Sequence, residues 1–432
     1  MRLKFAAAAF PAFALLWLAT APAAEAEEKP ATGVPDESIA QDWNDPVRAA
    51  FAQRGILYGV NWTGEYFNVL SGGNSTGSSF DGKLEVYTDV NLETLVGWKG
   101  GAFHANGFYI HGIGPTTGHI GNLFAVSNVE ALETVRLFEI WFEQALLDDK
   151  LKVRIGQLGA DSDFFISQTA TQFFNSTFGW AGIVAADMTQ GGPAYPLISL
   201  GVRAGYTPTD KLTILAAVFN GSPADPNPEV DPQKDNRHGT EFRLGDPPLV
   251  MIEGQFKYDV GLPGTVKLGG WKQFNHYAAE FENPGILDTD YGLYGIVDQQ
   301  IWKAGDDKGI SVFARVSGSP DKQSLISSYV DTGIVFTGFV AGRKQDTFGA
   351  AFGYGNISSD LRKQQIADGE PVVSDFESVL EINYLAHIRP GFSILHDFQY
   401  VWNPGGRIGS DADPAKPIGD SAVIGVRTNI NY

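Results

Sequence analysis

Apolar and polar residues alternate with period two in some sixteen segments between Ile56 and the last residue, Tyr432. This pattern constrains the fold more than any single motif. Successive side chains of a strand point to opposite faces, so alternation makes a ribbon with one apolar and one polar side. The predicted strands are about 57–68, 83–96, 102–113, 135–147, 151–160, 198–207, 211–220, 249–259, 264–275, 291–301, 310–318, 329–341, 347–355, 376–388, 391–401 and 421–432. Most approach the 9–11 residues that carry a tilted strand across a bilayer, and their number is even.

The connections alternate in length. Asp148-Asp149-Lys150, Pro208-Thr209-Asp210, Leu262-Pro263-Gly264 and Arg389-Pro390-Gly391 have turn chemistry, whereas 161–197, 221–248, 276–290 and 402–420 are long and rich in Pro, Gly, Asn or Asp. Short turns at one end and longer loops at the other are expected of an outer-membrane β-barrel. A water-soluble sandwich or propeller alternates too. Three features favour the barrel over it: no motif recurs at 20–50 residues, an export signal opens the chain, and the last strand ends on an aromatic residue.

That export signal is legible residue by residue. Arg2 and Lys4 form a basic start, Phe5 to Ala19 an apolar stretch, and Ala21-Pro22-Ala23 and Ala24-Glu25-Ala26 two small-residue cleavage sites. We therefore expect a signal peptide at 1–26, a polar leader with a short helix at 27–55, and the barrel at 56–432. Asn44 or Asp45 suits the helix cap, Pro46 its first turn and Gly55 its exit. Val47, Ala50 and Phe51 fall at helical spacing and predict the face that meets the barrel. No later window holds roughly 18 apolar residues, so no spanning helix is expected.

Composition narrows the function. With 31 Lys and Arg against 50 Asp and Glu, the net charge is −19. That excludes a nucleic-acid partner, which requires a basic footprint, and disfavours a strongly anion-selective pore. Cysteine is absent, so neither disulfides nor thiolate metal sites arise. The seven histidines lack ligand spacing, and neither H-E-x-x-H nor G-x-S-x-G occurs. We expect no cofactor, no metal, no catalytic residue and hence no enzyme.

Parity assigns the faces. Leu84, Val86, Val90 and Leu92 oppose Glu85, Tyr87, Asp89, Asn91 and Glu93. Phe138, Ile140 and Phe142 oppose Glu139, Trp141 and Glu143, and Val153 and Ile155 oppose Lys152 and Arg154. In the last strand Ile424, Val426, Thr428, Ile430 and Tyr432 oppose Arg427, Asn429 and Asn431. With polar faces inward, the candidate pore-lining residues are Glu139, Trp141, Glu143, Lys152, Arg154, Arg203, Glu253, Trp271, Arg315 and Gln399. Glu85, Asp89, Glu93, Lys267, Glu381 and Asp397 share that parity. The long 161–197 stretch is expected to fold inward and bring Asp161, Asp163, Phe164, Phe165 and Trp180 to a constriction. Each charge also admits a plainer reading, as a wall residue paired across strands. Glu139 or Glu143 with Lys152 or Arg154 is the most suggestive pair.

Beyond periodicity, particular residues recur in a familiar order. They include Gly97-Trp98 with Gly100-Gly101, Arg136-Leu137-Phe138-Glu139 with Trp141, Glu143 and Gln144, and Gly156-Gln157. Phe174-Asn175-Ser176, Tyr195-Pro196, Gly201-Val202-Arg203 and Asp298-Gln299 follow. Asp397-Phe398-Gln399-Tyr400-Val401-Trp402-Asn403-Pro404-Gly405-Gly406 is the most specific run. From about Gly55 onward the chain resembles the carbohydrate-selective, OprB-like porins. The resemblance implies an all-β transmembrane barrel of about sixteen strands in the Gram-negative outer membrane, with a narrowed channel for passive diffusion of glucose-type sugars. Its expected partners are small sugars, outer-membrane lipids and the barrel assembly machinery. A homotrimer stays open, because outward parity does not separate a partner from lipid. A general or cation-favouring porin, or a barrel-borne enzyme or adhesin, is the competing function. In a sugar channel, Arg and Lys would donate to hydroxyls, carboxylates would accept, and Trp141 and Trp271 would offer faces to C–H groups.

Overall fold

The computed structural model describes residues 38–39, 45–226, 230–274 and 289–432. The expected signal peptide, most of the leader and most of the 276–290 loop lie outside the described residues. The first eight strands are β1 (Ile56–Gly73), β2 (Gly77–Asn91), β3 (Gly101–Ile113), β4 (Thr134–Leu146), β5 (Leu151–Leu158), β6 (Ser199–Thr209), β7 (Leu212–Asn220) and β8 (Pro248–Asp259). The other eight are β9 (Pro263–Phe274), β10 (Thr289–Ala304), β11 (Lys308–Gly318), β12 (Ile326–Thr337), β13 (Thr347–Ile357), β14 (Phe376–Arg389), β15 (Phe392–Trp402) and β16 (Gly419–Asn431). Each pairs antiparallel with the next, and β16 closes on β1, giving a sixteen-stranded barrel without an edge. The predicted strands coincide with these, including the 329–341 segment, which is observed at Ile326–Thr337.

Outward rows are apolar and bare. Val86, Ile155, Ile252, Leu268, Leu293 and Val316 are all exposed on the wall. In water such rows would be a liability; on a transmembrane barrel they are the outer surface, open to lipid or to a neighbouring barrel. Turns at one end are short, as at 210–211 and 390–391, while 114–133, 159–198 and 403–418 span the other. By the barrel rule the short end is periplasmic.

Three expectations change in detail. The 83–96 strand stops at Asn91, whose side chain accepts from Thr94 N at 2.9 Å and caps a short helix, Leu92–Val96. Glu93 therefore leaves the wall, and its carboxylate accepts from Gly100 N at 3.2 Å. On β4, Gly107 of β3 pairs with Leu137 but Ala105 pairs with Ile140, so an extra residue is accommodated at 138–139. That bulge turns Phe138 inward beside Glu139, where it packs on Phe108 at 4.7 Å between ring centres. Finally, the helix Pro46–Ala52, here α1, buries Arg48 rather than Val47, which is exposed.

α1 closes over the seam between the first and last strands. Asp45 accepts from Val47 N and Arg48 N, and also from the Tyr432 hydroxyl at 3.2 Å. The Arg48 guanidinium lies 5.2 Å from the centre of the Tyr432 ring and 5.8 Å from that of Tyr58. Ile39 N donates to Asn431 O at 2.8 Å, beside Gly391. Gly391 has φ +69°, and a Cβ there would stand 2.1 Å from Ile39 N, so only glycine lets the leader pass.

The interior is not empty. Residues 159–198 leave the wall after β5 and fold into the barrel, where Phe164, Phe165, Phe173 and Phe178 pack against Tyr294, Phe313, Tyr329 and Val379 of the far wall. Phe165 stacks on Tyr294 at 4.1 Å. Such a segment has no regular ladder for its backbone, and each unpaired buried group costs about 1–3 kcal/mol. Side chains of the wall make good the deficit. Glu253 accepts from Phe165 N at 2.9 Å, and Asp298 from Thr169 N at 3.0 Å and the Ser167 hydroxyl at 2.5 Å. Glu381 accepts from Phe174 N and Asn175 N at 2.7 and 2.8 Å, and Lys267 donates to Ile166 O at 2.7 Å. Arg315 donates to Phe165 O, Gly179 O and Thr177 O at 2.9, 2.8 and 2.6 Å, while its other N–H groups hold Asp331.

Where the loop departs, the wall is patched. Leu137 N donates to His238 O at 3.0 Å, and Gln157 donates to Phe138 O and Gly239 O at 2.7 and 3.0 Å. Arg136 reaches across to Pro196 O and Arg237 O at 2.7 and 3.1 Å.

Two outcomes follow from these contacts. Arg315→Met strands Asp331 and three loop carbonyls; it should cost about 3–5 kcal/mol and raise single-channel conductance, read by heat-modified gel migration and planar bilayers. Arg48→Ala should cost about 1 kcal/mol, lowering the temperature of the gel shift by a few degrees without changing conductance.

Candidate channel and its polar constriction

With the inward loop filling the side of the lumen nearest β8 to β15, the remaining passage runs along β1 to β6. The expected pore residues divide accordingly. Glu253, Trp271, Arg315 and Gln399 point inward but are buried behind the loop, as are Lys267, Glu381 and Asp397. Parity located their face correctly; it had no means of showing that the loop covers them. Phe164 and Phe165 are buried in the same packing, not on the passage.

Glu143, Arg154, Asp163 and Arg203 come together from β4, β5, the inward loop and β6. Arg154 approaches Glu143 at 3.1 Å and Asp163 at 3.7 Å; Arg203 approaches Asp163 at 2.6 Å and Glu143 at 4.0 Å. The four alternate in sign and sum to zero. All are partly exposed, so their outer edges meet solvent. Lys152, two residues nearer the periplasmic turn than Arg154 on β5, is exposed.

Trp141 stands beside this quartet. Arg154 lies 3.9 Å over its ring, and His104 of β3 stacks at 5.0 Å with an 18° tilt. Because β3 and β5 flank β4, the neighbours occupy opposite sides of the indole. Trp141 therefore does not present the open stacking face expected of it; it is the filling of a His–Trp–Arg stack that holds the Arg154 fork toward the passage. His104 in turn meets Asp89 at 2.7 Å and Glu139 at 3.8 Å.

Toward the loop end lies a chamber of about 510 Å³, bounded by β2, β3, β4 and the 114–133 and 159–198 loops. Its walls combine Lys83, Glu85, Asn106, Glu139 and Asp161 with Phe108, Phe138, Trp180 and Tyr195. Glu139 lies four positions from Glu143 on β4, which sets the chamber roughly 13 Å along the strand from the quartet. Asp161 accepts from Tyr195 N at 2.8 Å, and burial, reinforced by Glu139, pushes its carboxyl up to about 6. Glu130 accepts from Thr116 N, the Thr116 hydroxyl and Ser127 N, and burial pushes it up to about 7.

Lys83, His104, Asn106, Glu130 and Tyr195 were absent from the predicted set. Lys83 shares the parity of Glu85 and was within reach of that argument. His104 and Asn106 sit on a strand whose inner face also carries Phe108 and Ile110, so no polar row marked it. Glu130 and Tyr195 lie in loops, where no periodicity operates.

Comparison with known proteins agrees with this architecture. The family described as carbohydrate-selective porin, OprB family, matches residues 76–432. Porin B of Pseudomonas aeruginosa is 23% identical over 417 residues, covering 84% of this chain and 86% of that protein. The high-pH structure of Pseudomonas putida OprB superposes with a TM-score of 0.77 at 19% identity, covering 92% of this chain and 99% of that one. The low-pH structure of the same protein gives 0.57 over 92% of this chain and 100% of that one, at 15% identity. These identities speak to the fold, and the family match speaks to the class. The chain belongs to the OprB family of carbohydrate-selective porins of the Gram-negative outer membrane.

Proposed function

We propose that the protein is a passive channel for small neutral sugars of the glucose type, and that Glu143, Arg154, Asp163 and Arg203 form its polar constriction. The observation that carries this reading is the charge balance of the quartet. Two guanidinium forks and two carboxylates offer donors and acceptors side by side, which suits hydroxyls that both donate and accept. Their sum is zero, so no net field attracts one ion or repels a neutral solute. A sugar exchanges water for these groups at little net gain, and weak binding lets it leave. Lys152 on the periplasmic side extends the polar path. Glu253, Trp271, Arg315 and Gln399 act behind the loop, holding the constriction in place.

Sugar block of ion current in planar bilayers tests the reading. Glucose should reduce the wild-type current, and Arg154→Ala should raise conductance and weaken the block about fivefold, the equivalent of about 1 kcal/mol. Liposomes that do not swell in glucose would sink the proposal.

pH offers a second check. Between pH 5 and pH 8, Asp161, with its carboxyl at about 6, and Glu130, at about 7, lose their protons and add negative charge to the chamber. Cation over anion selectivity should therefore rise with pH across that window, measured as the reversal potential in a KCl gradient. In Asp161→Asn the lower part of the rise should be missing.

A further inference from the structure

We propose that the channel favours sugars bearing a protonated amino group over sugars bearing a carboxylate, and that Glu85, Glu139 and Asp161 set this preference. This rests on the sugar-channel reading above. The quartet itself is blind to charge, so any discrimination must arise in the chamber before it.

There the two signs are treated differently. The carboxylates bond to neutral donors: Glu85 to the amides of Asn61 and Asn106 at 3.3 and 2.8 Å, Glu139 to Gly159 N at 3.1 Å, Asp161 to Tyr195 N at 2.8 Å. Such bonds satisfy the oxygen lone pairs and leave the negative charge in place. Among the described residues the one basic group within 4 Å of any of the three is His104, at 3.8 Å from Glu139.

The basic groups are engaged elsewhere. Arg154 and Arg203 are neutralised inside the quartet. Arg427 is paired with Glu65, and Arg136 turns away to the carbonyls of Pro196, Gln233 and Arg237. Lys83 remains, and its ammonium rests over Phe108 at 4.3 Å and Tyr195 at 5.1 Å. That position also shows what the chamber accommodates: an ammonium held on aromatic faces with carboxylates close by. An amino sugar presents an ammonium of the same kind beside its hydroxyls. A sugar acid brings a second negative charge into a space already rich in them, with restricted water to screen it.

The test uses three linear polyols built on the same six-carbon chain and differing in charge: N-methylglucamine, sorbitol and gluconate. Tracer uptake into proteoliposomes is measured at pH 8 with the membrane potential clamped at zero. The expected order is N-methylglucamine, then sorbitol, then gluconate. The ratio of the first to the last should fall at least threefold in Glu85→Gln/Asp161→Asn. It should rise in Lys83→Met, which removes the chamber's own ammonium and gives an independent readout if the double variant does not fold. Equal uptake of N-methylglucamine and gluconate, or a ratio that neither variant moves, overturns the preference. A channel closed to sorbitol overturns the sugar reading along with it, whereas one open to sorbitol but indifferent to charge overturns the preference alone.

Discussion

The constraint on which the structure depends is that an irregular segment inside a barrel must find partners for its own backbone. Helices and closed sheets satisfy their peptide groups internally; the 159–198 segment, with only short helices at 176–179 and 182–187, does so in part. Wall residues do it instead, with carboxylates taking loop N–H groups and Arg315 and Lys267 donating to loop carbonyls. Every such bond is charge-assisted and lies in a water-poor interior, so the loop is held in one position. A channel whose width is defined by a loop needs this rigidity. A segment free to swing would give a range of widths and no selection by size.

The same interior divides its charges between two tasks. Toward β8 to β15 they are structural and buried behind aromatic packing; toward β2 to β6 Lys83, Glu85, Glu139, Glu143, Arg154 and Arg203 keep contact with solvent, while Glu65 of β1, Asp81 and Arg136 are buried. Within the solvated half, a neutral quartet stands on the periplasmic side and an acidic, aromatic-walled chamber on the other. The net charge of −19 is thus not spread evenly over function. It coexists with a quartet of side chains that is electrically balanced, so overall acidity alone does not describe the interior.

Most of the architecture was legible because a strand's period is two and survives small errors of boundary. All sixteen strands were anticipated, and their inward faces nearly so. The failures have physical causes. Phe138 was assigned outward because a bulge inserts a residue that parity does not count. Arg48, not Val47, meets the barrel because two tyrosine rings favour a guanidinium over an alkyl group at that place. Glu253, Trp271, Arg315 and Gln399 were placed on the right face but on an open channel, since alternation is silent about what packs on that face. The run Asn403-Pro404-Gly405-Gly406, noticed only as a resemblance, gains a reason. Its left-handed glycines at φ +71° and +72° turn the chain so that Gly405 N meets Glu377, which also takes Leu123 N and Phe124 N.

The placement of the loop's partners has a consequence for the order in which the molecule acquires its properties. The segment leaves the chain between β5 and β6, yet the groups that hold it belong to β8, β9, β10, β11 and β14. A barrel assembled from β1 toward β16 therefore has its inward segment in hand before the residues that fasten it. Until β8 to β14 are laid down, that segment lacks the wall groups that take the peptide groups of its central part, from Phe165 to Asn175. In that order the inward fold of the segment is acquired late, only as its far wall is completed.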